Sequence, residues 1–301
     1  MSDRMYHSRR AARPLPRPEH ALPHFTLVVA TIGRVDAVDR FLASVVGQEY
    51  PNVDIVVADQ NADGRLAPVL AARRRQLDIR HLRTARGLSR ARNIALEYAR
   101  GDVIAFPDDD CTYPPGLLHS LAFEFQRYPL VGGLVGCPVA DDTGRRFRGF
   151  SSHRAEVTPA NVWRLCCSIG LFLRKSVVEM VGGFDESLGV GAGTPWGAAE
   201  DRDYPLRALD LGVRMHYDPE LKVLHPPGDY TNLARAYSYG AGLGRVLRKR
   251  AAPRHEVCRL LIVRPIAGMI LALLRGRPVA AAFYFHSLRG RVAGWRAPFD
   301  S

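Results

Sequence analysis

No run of about twenty consecutive apolar residues, the length a bilayer-spanning helix needs, occurs in these 301 residues. No apolar stretch near residue 1 resembles a secretory signal. The five cysteines (Cys111, Cys137, Cys166, Cys167, Cys258) form no C-x-x-C pair and are odd in number. These absences give the expectation of reduced thiols in the cytoplasm, with adjacent Cys166 and Cys167 as core filler. No internal repeat is visible. Net charge is nearly absent from the middle of the chain: the total is +12, but the two ends carry it. Residues 1–24 hold five arginines against Asp3 and Glu19, and residues 245–301 hold twelve Lys/Arg against Glu256 and Asp300. A near-neutral body without an aromatic-basic face excludes nucleic acid as the partner. Residues 1–23 have little to bury and read as a disordered basic arm.

What is present is an ordinary globular composition, 47% apolar and 24% charged, long enough for a proper core. From Phe25 onward apolar runs alternate with helical spacing, the pattern of an α/β domain with a mostly parallel sheet. Strands are expected at 25–30, 53–58, 79–82 and 103–106, and helices at about 35–47, 65–77 and 89–100. Three of these four strands end in polar residues on one topological side: Thr31-Ile32-Gly33-Arg34, Asp59-Gln60-Asn61 and Asp108-Asp109-Asp110. Further on, a strand is expected at 169–174, a helix at 175–181, a glycine-rich loop over 188–197, and a helix at about 198–211 opening on Glu200-Asp201-Arg202-Asp203.

The aspartate triplet is the most informative feature. Two like charges about 5 Å apart repel by roughly 3 kcal/mol at an effective dielectric near 20, so three at a strand terminus call for a compensating partner. In open α/β sheets ligands bind outside the carboxyl ends of the strands. In extended chain, residues i and i+2 share a face, so Asp108 and Asp110 converge while Asp109 points elsewhere. Carboxylate ligands of this kind suit Mg²⁺ or Mn²⁺, which also take diphosphate oxygens. The second cluster has a purely structural alternative, because acidic residues are favoured at a helix N-terminus.

Taken in order, Thr31-Ile32-Gly33-Arg34, Asp59, Arg86-Gly87-Leu88-Ser89-Arg90-Ala91-Arg92-Asn93, Asp108-Asp109-Asp110, Gly182-Gly183-Phe184-Asp185-Glu186 and Glu200-Asp201-Arg202-Asp203 resemble the family 2 glycosyltransferases of the GT-A fold. The resemblance covers about residues 25–225. It implies inverting transfer of a sugar from a nucleotide-diphosphate donor to a hydroxyl of a glycan or lipid-linked acceptor, as in cell-surface polysaccharide assembly. It implies nucleotide contacts from Thr31, Arg34 and Asp59, and a metal and diphosphate site at Asp108 and Asp110. Arg86 and Asn93 lie in the nucleotide-side motif. His225 matches a position at which relatives place a metal- or diphosphate-contacting histidine. The base that deprotonates the acceptor is Asp201, or its neighbour Glu200. Trp196, in the glycine-rich loop with Gly193, is a candidate to stack on a sugar face.

This divides the chain into an arm (1–23), a GT-A domain (24–244) and a basic, amphipathic helical extension (245–301). In the extension, Val257–Leu274 is interrupted by Arg259 and Arg264-Pro265 and is read as too short to span. Two readings stay open for it: helices packed on the catalytic domain, or a peripheral contact with an anionic membrane at its inner face. A sugar-phosphate nucleotidyltransferase is a competing activity. It calls for a glycine-rich, basic phosphate loop after the first strand, which the short Ala30–Arg34 turn does not supply. A non-catalytic membrane scaffold is a further alternative, opposed by the intact Asp108, Asp110 and Asp201.

Overall fold

The structure, a computed structural model, describes residues 22–147 and 149–298. The basic arm expected at 1–23 lies, up to residue 21, outside the described residues. Strands β1 (Phe25–Thr31), β2 (Val53–Asp59), β3 (Asp78–Arg83), β4 (Val103–Ala105), β5 (Gly133–Ala140), β6 (Ala155–Glu156), β7 (Leu171–Arg174) and β8 (Met215–His225) form one sheet in the order β3-β2-β1-β4-β7-β5-β8-β6. β3, β2, β1 and β4 run parallel, and β5 pairs parallel with β8. β7 is antiparallel to both its neighbours, and β6 to β8. The sheet is thus mixed and mostly parallel, as expected.

β1 is buried along its whole length, which explains an apolar run without polar alternation. Phe25, Leu27 and Val29 pack under α1 (Val35–Val46). Val28 and Ala30 face the opposite layer. Helix α2 is shorter than its apolar spacing suggests, Ala67–Arg73, and the strand expected from 169 begins at Leu171 after a 3₁₀ turn. The remaining helices are α3 (Leu88–Leu96), α4 (Leu117–Arg127), α5 (Val162–Leu165), α6 (Lys175–Val181) and α7 (Glu200–Asp210).

After β8 the chain stays helical: α8 (Leu233–Lys249), α9 (Arg254–Val257), a π-helical turn Cys258–Val263, α10 (Arg264–Leu274) and α11 (Pro278–Arg296). The expected boundary at 244/245 falls inside α8. The expected interruption at Arg264-Pro265 is also corrected. Proline cannot donate to the preceding turn and crowds the carbonyl four residues back, and the π-helical turn just upstream takes up that conflict. Residues Arg254–Leu274 therefore form one 21-residue helix, long and apolar enough by length and composition to cross a membrane.

α8 and α11 pack backbone to backbone. A Cβ on Gly240, Gly244, Gly290 or Gly294 would lie 2.0–2.3 Å from a carbonyl of the facing helix. Gly242 meets the Ala198 carbonyl in the same way, at 2.1 Å. The C-terminal helices are thereby fixed to the segment that opens α7.

Candidate active site

Because β1, β2 and β4 are parallel, Thr31, Asp59 and the aspartate triplet emerge on one edge, with Thr31 in register with Asp59 and Ala30 bridged to Asp108. Asp108 ends the extended stretch, and Asp109 and Asp110 lie in a turn closed by Cys111 N–H donating to the Asp108 carbonyl at 3.2 Å, not in the extended chain expected from the sequence. Asp109 is buried, accepting from Thr31 Oγ1 at 2.7 Å and from Arg34 at 2.9 Å. The compensating partners of Asp108 and Asp110 come from three directions: Arg34 also reaches Asp110, Arg92 holds Asp108 at 3.0 Å, and His225 Nε2 lies 3.2 Å from Asp110.

Burial dominates the proton affinities here. It pushes Asp109 up to about 6 against the opposing pull of Thr31 and Arg34, and raises Asp108 despite Arg92 and His225. At Asp110 burial works the same way but loses to His225 and Arg34, which together hold the carboxyl below its ordinary value. His225 is raised by Asp110 and Asp108 against its own burial.

The donor set fits a divalent cation. Asp110 Oδ1 is a buried acceptor with no aligned hydrogen bond, although His225 is within ion-pair range. Potential ligand atoms of Asp110, Cys111 and His225 lie within 4.8 Å of one another. His225 Nδ1 sits 2.6 Å from the Pro226 carbonyl; the proton on that bond belongs on Nδ1, which leaves Nε2 to face the carboxylates. Carboxylate and imidazole suit Mg²⁺ or Mn²⁺. Burial raises the Cys111 thiol, and its soft sulfur matches Mg²⁺ or Mn²⁺ less well than the carboxylates and imidazole do.

Across the site, α7 begins after Ala199, whose φ is +77°. Glu200 is buried and pairs with Arg92 at 3.2 Å, so one guanidinium joins the triplet to the second acidic cluster. Burial and the neighbouring Asp201 charge push Glu200 up to about 7, against the pull of Arg92. Asp201 is half-buried and pairs with Arg202 at 2.6 Å. The glycine-rich loop crosses the start of α3: Leu88 N–H donates to the Val190 carbonyl, and Gly191 (φ +77°) lies where a Cβ would be 3.3 Å from the Gly87 amide.

Two cavities meet at this place. One, of about 580 Å³, lies against Arg34, Gln60, Arg86 and the triplet. The other, of about 480 Å³, lies against Glu200, Asp201, Arg202 and the C-terminal helices. Asp108, His225, Arg235 and Tyr239 belong to both walls.

Of the residues singled out from the sequence, Arg34, Arg86, Asp108, Asp110, His225, Glu200 and Asp201 line these cavities. Gly193 lines the triplet's cavity and not the one beside Asp201. Four others are held away. Thr31 is spent on Asp109. Asp59 is fully buried, accepting from Asn61 and Arg83 and lying 2.9 Å from His81. Asn93 ties α3 to Phe184 and Glu186. Trp196 packs under the Arg245 guanidinium at 5.3 Å. Residues missed include Gln60, whose side chain accepts from Gly87 N–H at 2.8 Å, and Arg92. Arg92 was detectable as a charge on the buried face that Ala91 and Ala95 define on α3. Arg235, Tyr239 and Arg291 come from helices with no local signal for the site.

Comparison with known proteins bears on the family and the fold. The family model described as glycosyl transferase family 2 matches residues 26–180. A pre-mycofactocin glycosyltransferase of Mycobacterium tuberculosis is 27% identical over 302 residues, covering 89% of this chain and 60% of that protein; the chain thus spans less than two thirds of that relative. Among solved structures, a mannosyltransferase from Pyrobaculum calidifontis in complex with GDP-Man and Mn²⁺ superimposes with a TM-score of 0.63 at 15% identity, over 94% of this chain and 91% of that one. S. aureus TarS 1–349 in complex with UDP-GlcNAc gives 0.56 at 13% identity, over 88% and 90%. The fold is GT-A, and the chain belongs to glycosyl transferase family 2.

Proposed function

We propose that this protein transfers a sugar from a nucleotide-diphosphate donor to an acceptor hydroxyl, with inversion, in a single displacement. The observation that carries this reading is the pair of cavities meeting at Asp108, His225 and Tyr239, with the aspartate triplet on one side and Asp201 on the other. Inversion requires a base on the face opposite the departing diphosphate, and two adjoining cavities with carboxylates in each allow that placement. Asp201 is the base: both carboxylates line the second cavity, but Glu200 is the more deeply buried and is paired with Arg92, whereas Asp201 is only half-buried. A carboxylate within hydrogen-bond reach of the acceptor hydroxyl takes its proton as the new bond forms. Arg34 and Arg86 line the cavity that takes the nucleotide diphosphate. Asp108, Asp110 and His225 would hold Mg²⁺ or Mn²⁺, which neutralises charge on the diphosphate when bound. The similar structures hold GDP-Man with Mn²⁺ and UDP-GlcNAc, which supports a nucleotide sugar here. The acceptor is a glycan or lipid-linked glycan, reached from the cytoplasmic side with the C-terminal helices against the membrane.

The test is a thermal-shift panel of nucleoside diphosphates with and without Mn²⁺, since a ligand that binds only the folded state raises its stability by mass action. One base should stand out and require the metal. Asp110→Ala should abolish that shift, and Asp201→Asn should retain it while losing transfer. No metal-dependent shift from any nucleotide overturns the reading, and transfer retained by Asp201→Asn moves the base to Glu200.

A further inference from the structure

We infer that the cavity beside Asp201 accepts a phosphate-bearing acceptor, with Arg291 of α11 and Arg235 of α8 as the groups that bind the phosphate. This rests on the reading that the acceptor enters that cavity, and it adds the acceptor's chemical class.

The inference starts from an imbalance of charge. Three arginines at the site each have a carboxylate: Arg34 has Asp109 and Asp110, Arg92 has Asp108 and Glu200, and Arg202 has Asp201. Arg291 lines the same cavity, yet its partners are the Ser287 hydroxyl at 3.2 Å and the Leu260 carbonyl, both neutral. Among the described residues no carboxylate pairs with it. Burial, reinforced by the nearby positive charge of Arg264, pushes it down to about 10, as expected of a desolvated cation beside another cation. Arg235, on the same wall, makes no ion pair within 4 Å among the described residues, with Asp229 in electrostatic range only, and lies 4.8 Å over the Tyr239 ring.

A structural duty accounts for part of Arg291. The π-helical turn at Cys258–Val263 displaces the usual hydrogen-bond ladder, and Arg291 donates to a carbonyl within it. That bond and the one to Ser287 use two of the five guanidinium donors. Three donors are left over, Arg291 lines the cavity, and an Arg fork matches the oxygens of a phosphate. Several positive charges around one place suit a group that carries more than one negative charge, as a phosphate monoester does near neutral pH. The placement is rigid. Gly244 meets the Arg291 carbonyl across the helix pair, while Gly242 of the same helix abuts Ala198, two residues before Glu200. The phosphate group and the proton-accepting carboxylate are therefore held on one frame.

Such a phosphate has two sources, a lipid headgroup or a soluble phosphate ester. A third cavity of about 510 Å³ between α10 and α11, with Leu271, Tyr284, Arg275 and Arg277 in its wall, lies behind the contact of Tyr230 with Phe283, whose rings are 5.1 Å apart and of which Phe283 belongs to the acceptor cavity. A lipid chain would lie on that side.

Calorimetric titration of the full chain with octyl phosphate, glycerol 1-phosphate and octyl glucoside decides this, with nucleoside diphosphate and Mn²⁺ held saturating. Both phosphates should bind, octyl glucoside should not, and Arg291→Gln should weaken the phosphates at least tenfold. Arg291→Lys should recover most of that loss, and nucleotide binding by each variant shows that it is folded. Octyl phosphate binding more than tenfold tighter than glycerol 1-phosphate assigns the lipid source; parity assigns the soluble one. Phosphate binding that is absent from the wild type, or unchanged in Arg291→Gln, overturns the inference while leaving the nucleotide reading intact. If no nucleotide binds, the function proposed above fails instead, and the same titrations without nucleotide still decide whether Arg291 binds phosphate.

Discussion

At the residue scale, the aspartate triplet divides its labour in a way that pH will reveal. Asp109 is raised to about 6 by burial, so between pH 4 and 6 the folded state binds more protons at this position than the unfolded state does. Stability contributed here therefore falls as pH rises through that window. Asp109→Asn should stabilise the metal-free protein at pH 7.5, by no more than about 3 kcal/mol at 1.36 kcal/mol per unit, and leave it unchanged at pH 4. Melting curves at both values check this, and an equal effect at both refutes it. Arg92 is the opposite case, a fully buried cation whose removal strands Asp108 and Glu200 together. Arg92→Met should cost about 3–5 kcal/mol in urea unfolding, the range for breaking a buried pair. The aspartate triplet stands out in the sequence, but the i, i+2 rule does not describe it, because Asp109 and Asp110 lie in a turn. Local pattern gave nothing on Asp59, because the groups that enclose its carboxylate, His81 and Arg83, lie on the neighbouring strand β3.

At the element scale, legibility followed locality. β1 and β2 announce themselves as apolar runs because both faces are covered, and α1 by its period. α8 against α11 could not be read, since four glycines (Gly240, Gly244, Gly290 and Gly294) acquire meaning only when two helices meet. Their packing predicts a sharp contrast. Gly290→Ala puts a Cβ 2.0 Å from the Tyr237 carbonyl, and backbone cannot yield as a side-chain tip can. It should cost at least 2–3 kcal/mol, the upper part of the overpacking range, and should impair transfer by displacing α8 from Ala198. Gly47→Ala, at φ −67° with its nearest neighbour at 3.6 Å, should change stability by less than about 1 kcal/mol. Comparable losses in the two variants would show that helix contact is not what Gly290 serves.

At the scale of the whole molecule, charge and apolar exposure coincide at one end. Ile270, Leu273, Leu274 and Val279 are exposed around the α10–α11 turn, beside exposed Arg275 and Arg277. The sequence left open whether these helices pack on the domain or meet a membrane, and the fold lets both hold: α11 lies along α8 while the turn faces outward. Deleting 256–301 is then a poor probe, because it would strip the glycine face of α8. Substitutions at the turn are cleaner. The full chain should bind phosphatidylglycerol vesicles and release them as salt rises, since each arginine near an anionic surface contributes about 1 kcal/mol and screening removes it. Leu273→Ser with Leu274→Ser should weaken binding at least tenfold, because burying each leucine contributes roughly 1.5–3 kcal/mol. Arg275→Gln with Arg277→Gln should instead flatten the salt dependence. Co-sedimentation across a salt series separates the two effects. Binding that survives both pairs of substitutions would place the membrane-facing surface elsewhere, and a lipid chain beyond the Tyr230–Phe283 contact would lose its entrance.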